Sequence, residues 1–156
     1  MNPELHLRDA SLADLEVIVE FNARLAHETE DRELDRAVLT GGVAALLRDA
    51  TKGRYFVAEQ AGDVVGQVMV TYEWSDWRNG QFWWIQSVYV RADSRGAGVF
   101  KALFAHVSRL AQSQPEVCGL RLYVEEDNAS ARAVYARLGL RPTTYGVMER
   151  ELTSPR

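Results

Sequence analysis

Cysteine occurs once in this chain, at Cys118, which excludes an internal disulfide. Its neighbours Val117 and Leu120 suggest a buried strand thiol, and a reducing cytoplasm is the expected setting. Long apolar runs are missing: none reaches the length of a membrane span, and the first nine residues have neither the basic start nor the apolar stretch of an export signal. No membrane partner is expected. Positive charge is not in excess either. With 18 Lys and Arg against 22 Asp and Glu the formal charge is -4, which offers no basic field to a phosphate backbone and argues against a nucleic-acid partner. Repeats, linkers and low-complexity stretches are also lacking. What remains is 47% apolar and 26% charged, the balance of a folded globular chain, and 156 residues suffice for one core, so a single domain over 1–156 is expected.

Periodicity supplies the element order. Leu5 to Arg8 alternate as a short strand, and Ser11 with Asp14 three residues on is a capping-box start for a helix. Leu15, Ile18, Val19, Asn22 and Leu25 recur at helical spacing, with Asn22 the one polar interruption of that face. An acid-rich stretch, His27 to Asp35, reads as surface, and Ala37, Leu39, Val43, Leu46 and Leu47 suggest a second helix. Arg54–Glu59 and Val64–Trp74 read as strands joined across Ala61-Gly62-Asp63, and Asn79-Gly80, a two-residue turn dipeptide, leads into a strand over Gln81–Val90. Val99, Leu103, Val107 and Leu110 mark a helix, Gly119 to Val124 a strand, Asn128 the cap of a helix ending near Gly139, and Thr143–Leu152 a last strand. The order β-α-α-β-β-β-α-β-α-β is that of a mixed α/β fold.

Arg95-Gly96-Ala97-Gly98-Val99-Phe100-Lys101 stands between a strand and the first turn of a helix. Unpaired amides at a helix start point outward, and glycines let the backbone wrap an anion closely, so this turn suits a pyrophosphate, with charge added by Arg95 and Lys101 and no metal required. Two familiar motifs do not fit. The P-loop needs Gly-Lys-Ser/Thr, which is absent. A Rossmann turn needs a glycine where Lys101 stands, and five residues between Val90 and Gly96 are too many for its tight turn. Downstream, Asn128, Ala131, Tyr135 and Gly139-Leu140 form a second constellation; Ala131 and Tyr135, four apart, share one helix face below the Asn128 cap.

Val88-Tyr89-Val90 followed by Arg95-Gly96-Ala97-Gly98-Val99, with the Asn128–Leu140 pattern behind it, resembles the coenzyme A-binding region of the GNAT superfamily of N-acetyltransferases, whose signature is Arg/Gln-x-x-Gly-x-Gly/Ala. Phe100 departs at the last Gly/Ala position. The resemblance implies a central, mostly antiparallel sheet flanked by helices, whose two parallel strands splay apart around the pantetheine of acetyl-CoA. It implies hydrogen bonds from the backbone of Val88 and Val90 to that arm, and places Tyr135 at the thioester. A phenol, with reference pKa of about 10, stays protonated at neutral pH and can donate to the departing thiolate. Tyr135 is therefore the candidate general acid; the alternative is a ring that only packs, its hydroxyl satisfied by a carbonyl. Asn128 is open between capping and cofactor contact.

On the acceptor side, Trp74, Trp77, Trp83 and Trp84 crowd around the Asn79-Gly80 turn. A two-residue loop there pairs Arg78 with Gln81, Trp77 with Phe82 and Glu73 with Gln86, putting Glu73, Trp77, Phe82, Trp84 and Gln86 on one face. Aromatic walls with a carboxylate suit an amine. Burial in a dimer interface or in the core is the alternative for these rings. The strand is similar to that of diamine acetyltransferases of the same family, but Gln86 and Ser87 replace the carboxylates expected before Val88, so neither polyamine specificity nor a base there carries over. Glu73 and Glu28 are the nearest carboxylates for the role of base or acceptor anchor; Glu28 sits in the acidic run. The expected activity is acetyl transfer from acetyl-CoA to a small-molecule or peptide primary amine, with homodimerisation as the family-level assembly. The competing function is a coenzyme A-binding regulatory domain without turnover.

Overall fold

Alternation along the strands sorts side chains to two faces of one sheet. A computed structural model describes residues 3–153. Strands β1 (Leu5–Asp9), β2 (Arg54–Gln60), β3 (Asp63–Ser75), β4 (Gly80–Val90) and β5 (Val117–Leu122) lie side by side in that order. The first four run antiparallel, and β5 joins β4 in parallel after helix α3 (Val99–Gln112) returns the chain across the sheet. Helices α1 (Leu15–Glu30) and α2 (Arg36–Arg48) follow β1; α4 (Ala129–Arg137) follows β5. The mostly antiparallel sheet flanked by helices is the architecture the resemblance implied.

Two neighbours on β2 show the layering. Tyr55 packs with Ile18 and Val19 of α1 and Val43 of α2, whereas Phe56 belongs to the larger cluster with Val68, Val70, Trp83, Leu103 and Val107 under α3. Burying one such side chain contributes about 1.5–3 kcal/mol, so both faces are secured. Gly66 brings α3 close: a Cβ there would meet Val99 Cγ1 at 2.8 Å. No helix among the described residues is long and apolar enough to cross a membrane.

The expected capping box forms. The Asp14 carboxylate accepts from Ser11 N at 2.8 Å, and the Ser11 hydroxyl accepts from Ala13 N, opening a single 3-10 turn before α1. Asp35 caps α2 through Ala37 N and Val38 N. Ala61 and Gly62, both at positive φ, close the β2–β3 hairpin.

Three expectations are corrected. The β3–β4 connection is a four-residue loop, with Ser75 paired to Gly80 and Arg78 N donating to Ser75 O, so Glu73 faces Phe82 and Trp77 lies in the loop, 90% exposed. Thr143–Leu152 forms no strand, because no ladder partner lies beside it among the described residues; Tyr145, Val147, Met148 and Leu152 are all exposed. Cys118 is exposed rather than buried, since β5 is the sheet's outer strand.

Asp14 also receives both terminal nitrogens of Arg8 at 2.9 Å, and Arg8 reaches Glu59 on β2 as well, tying α1 to the first two strands. The hydrogen bond from Arg8 holds the Asp14 carboxyl below its usual range, against the opposing effect of burial. Its contribution is therefore complete above the ordinary carboxyl pKa, about 3.9, and lost as pH falls through the lower folded value. Asp14→Asn is expected to lose about 2 kcal/mol in urea unfolding at pH 7, with the gap to the parent protein narrowing below about pH 4.

Candidate active site

The Gly-rich turn has the geometry an anion needs. Gly96 and Gly98 adopt φ of 80° and 83°, values that strain a residue with a Cβ, and Gly98 is the residue before α3. Ala102 N finds Gly98 O, but the first-turn amides of Val99, Phe100 and Lys101 precede the first intrahelical acceptor and lie at the positive end of the helix dipole. Arg95 is committed locally: its Nε donates to Val90 O at 2.9 Å and its Nη2 to Glu28 Oε2 at 2.8 Å. Lys101 is exposed on the first turn. The backbone thus fits a diphosphate, with Lys101 a flanking charge that has no partner among the described residues.

Before that turn, β4 loses its neighbour. Pairing with β5 ends at Ile85 opposite Leu122, while β4 continues to Val90. The stretch from Gln86 to Val90 therefore has β3 on one side and an open edge on the other, along which Val88 and Val90 can bond an extended ligand. A bulge marks the change. The β3–β4 register slips between Gln67 and Met69, and Ser87 sits at φ 50°. The fully buried Gln67 braces it, its Nε2 donating to Ser87 O at 3.0 Å and Asn22 Oδ1 at 3.3 Å, and Asn22 in turn donates to the Tyr55 hydroxyl at 3.0 Å. Gln67 Oε1 has no partner among the described residues. Asn22, the polar interruption noted in the α1 stripe, is explained by this chain of bonds. Gln67, Tyr55 and Ser87 were not foreseen, though a glutamine inside the apolar β3 run was a signal.

Asn128 accepts from Ala131 N at 3.1 Å, so it caps α4. It also lines a cavity of about 330 Å3 with Thr29, Tyr123, Val124, Glu125, Ala131 and Tyr135. The half-buried Tyr135 hydroxyl makes no hydrogen bond to another described residue, and burial raises its pKa above the ordinary phenol value, keeping the proton on at neutral pH. Phe100, the residue that departs from the signature, has its ring edge-on to Tyr135 with centroids 6.2 Å apart.

Of the residues expected to share one face of β3 and β4, most do. Glu73, Phe82, Trp84 and Gln86 share it, because the true register differs from the expected one by an even number of residues; Trp77 does not join them. Trp84 stacks on Tyr123 at 4.4 Å. Glu73 holds Arg121 Nη1 at 3.2 and 3.3 Å, with that guanidinium over the Phe82 ring, and Gln86 donates to Thr71 at 2.5 Å. Trp83 is core, on the opposite face. Glu28 lies at the turn instead: besides Arg95 it accepts from the Tyr89 hydroxyl at 3.1 Å, and the Arg95 hydrogen bond lowers its pKa. A second cavity of about 460 Å3 opens between α1, α2 and the sheet, and Thr29 lines both. No group of three or more metal-ligating side chains occurs among the described residues.

An open-edged end of β4, an amide-rich helix start and a phenol in a cavity beyond the end of β5 make up the candidate site. The model of the acetyltransferase (GNAT) family matches residues 16–140, and the chain belongs to that family. It is an acyltransferase. Among solved structures it is similar to a possible acetyltransferase from Clostridium difficile 630, with 46% identity and a TM-score of 0.91 over 96% of this chain and 98% of that one. It shares its fold with a predicted acetyltransferase with acetyl-CoA from Clostridium acetobutylicum (18% identity, TM-score 0.78, 94% and 96% covered). The fold also matches ribosomal-protein-alanine N-acetyltransferase from Brucella melitensis biovar Abortus 2308 (17%, 0.76, 96% and 100%). No curated protein matches the chain.

Proposed function

We propose that the protein transfers an acetyl group from acetyl-CoA to a primary amine by direct attack, with Tyr135 as general acid. The supporting observation is the Tyr135 hydroxyl: partner-free among the described residues, held protonated by burial, and in a cavity that Thr29, the chain just after β5 and the cap of α4 enclose. In this reading the diphosphate rests on the amides of residues 98–101 and the pantetheine lies along Val88–Val90. The amine nitrogen attacks the thioester carbonyl, the C–S bond breaks, and the Tyr135 proton goes to the departing sulfur. The amine passes its own proton through water to Glu73, the carboxylate of the acceptor face, once Arg121 is displaced from it. With one cysteine and no pairing partner for it, the chain needs no oxidising compartment, which supports a cytoplasmic setting.

Tyr135→Phe is expected to bind acetyl-CoA with unchanged affinity in calorimetry and to lower kcat about 10-fold or more, the usual size of acid catalysis. Full activity in that variant removes Tyr135 from the mechanism. For Glu73→Gln, the acidic limb of the rate–pH profile should vanish; a profile identical to the parent's clears Glu73 of the role of base.

We further infer a homodimer. Among the described residues the outer edge of β5 has no strand beside it, and the exposed Tyr145, Val147 and Met148 sit on a segment that joins no ladder. Unpaired edges and exposed apolar residues are features that a second copy would cover. Light scattering at micromolar concentration is expected to give about twice the 17.6 kDa chain mass, and Met148→Glu to lower it towards the monomer. A monomeric parent protein refutes this assembly.

A further inference from the structure

The cavity between α1, α2 and the sheet differs in chemistry from the surface around it. Its walls are Leu25, Leu39, Val43, Leu46 and Met69, and its polar lining includes Asn22, Tyr55 and Ser87, the first two joined by a hydrogen bond. The one carboxylate in the lining is Glu30, exposed at the end of α1. At about 460 Å3 it has the volume of a small-molecule site. Thr29 belongs to this cavity and to the one holding Tyr135, so the two adjoin at that residue.

These facts constrain the acceptor. A second ammonium carried several carbons from the reacting nitrogen would be placed among leucines, where the lining offers only Glu30, exposed at the end of α1, and a charge buried without a partner close by is strongly disfavoured. An apolar tail in the same place gains from leaving water. We propose that the acceptor is a monoamine bearing an apolar body, alkyl or arylalkyl, held in this cavity with its amine towards Thr29 and Ser87. This rests on the acetyl-transfer reading above and names the substrate class for it.

Linear alkylamines from ethyl- to hexylamine, which share one basicity, test the idea with acetyl-CoA and a thiol-release assay. Each buried methylene should raise kcat/KM about fourfold, and hexylamine should exceed 1,6-diaminohexane at least about 10-fold. Gly42→Phe supplies an independent check. Gly42 lines the cavity, and nothing lies within 4 Å of a Cβ built on it, so the new ring enters open space on a helix that gains by losing a glycine. The variant should reduce the hexylamine-to-ethylamine ratio of kcat/KM at least about fivefold, a change of about 1 kcal/mol, while calorimetry reports the parent affinity for acetyl-CoA. A flat series, a diamine as good as the monoamine, or an unchanged ratio in Gly42→Phe overturns the assignment and leaves acetyl transfer standing. Absence of heat with acetyl-CoA, or binding without acceleration by any amine, overturns the acetyl-transfer reading and this one with it.

Discussion

A peptide group that leaves water needs a partner, and the second half of β4 has partners on one side only. β5 stops at Leu122, opposite Ile85, yet β4 runs on to Val90. The rest of the site is arranged around that half-satisfied edge. The bulge at Ser87 turns the strand, Gln67 holds the bulge from within, and Arg95 closes the strand's end by donating to Val90 O. Gly66 lets α3 approach β3, so the helix start and its spare amides arrive next to the end of the same strand.

The C-terminal turn of α1 joins the glycine-rich turn to the two cavities. Glu28 binds Arg95 of the phosphate turn and the Tyr89 hydroxyl of β4, while the adjacent Thr29 lines both cavities. Tyr89 is itself held by Phe21, whose ring lies 5.0 Å away, so the face of α1 that packs on β4 also carries the groups that border the site. An acidic run that reads as plain surface thus contains residues with structural duties, Glu28 here and Asp35 at the cap of α2. Phe100 has a comparable place: a departure from the family signature in sequence, it packs against the ring proposed as the acid.

How far the sequence carried depended on the range of the interaction. Caps and short turns were legible because they are settled within a few residues: Ser11 with Asp14, Asn128 with Ala131, and Ala61-Gly62 all formed as read. The faces of β3 and β4 were also legible, despite a wrong loop. The Asn79-Gly80 signal placed the turn too tightly, but the resulting slip was even, and side chains in a strand repeat every two residues, so Glu73, Phe82, Trp84 and Gln86 still fell together. Trp77 alone was displaced, since it lies in the loop itself.

By itself the sequence determined the order of the elements through β5 and α4, the glycine-rich turn before α3 and the placing of Tyr135 and Ala131 on one helix face, because each follows from local periodicity or a glycine's backbone. Only the tertiary structure decided that Glu28 turns to Arg95, that Asn22 joins Gln67 and Tyr55, that Cys118 is exposed, and that Thr143–Leu152 lies unpaired. Those outcomes depend on which elements become neighbours in space. Pairing between residues tens of positions apart is set by the closing of the whole sheet, and no short window of sequence contains it.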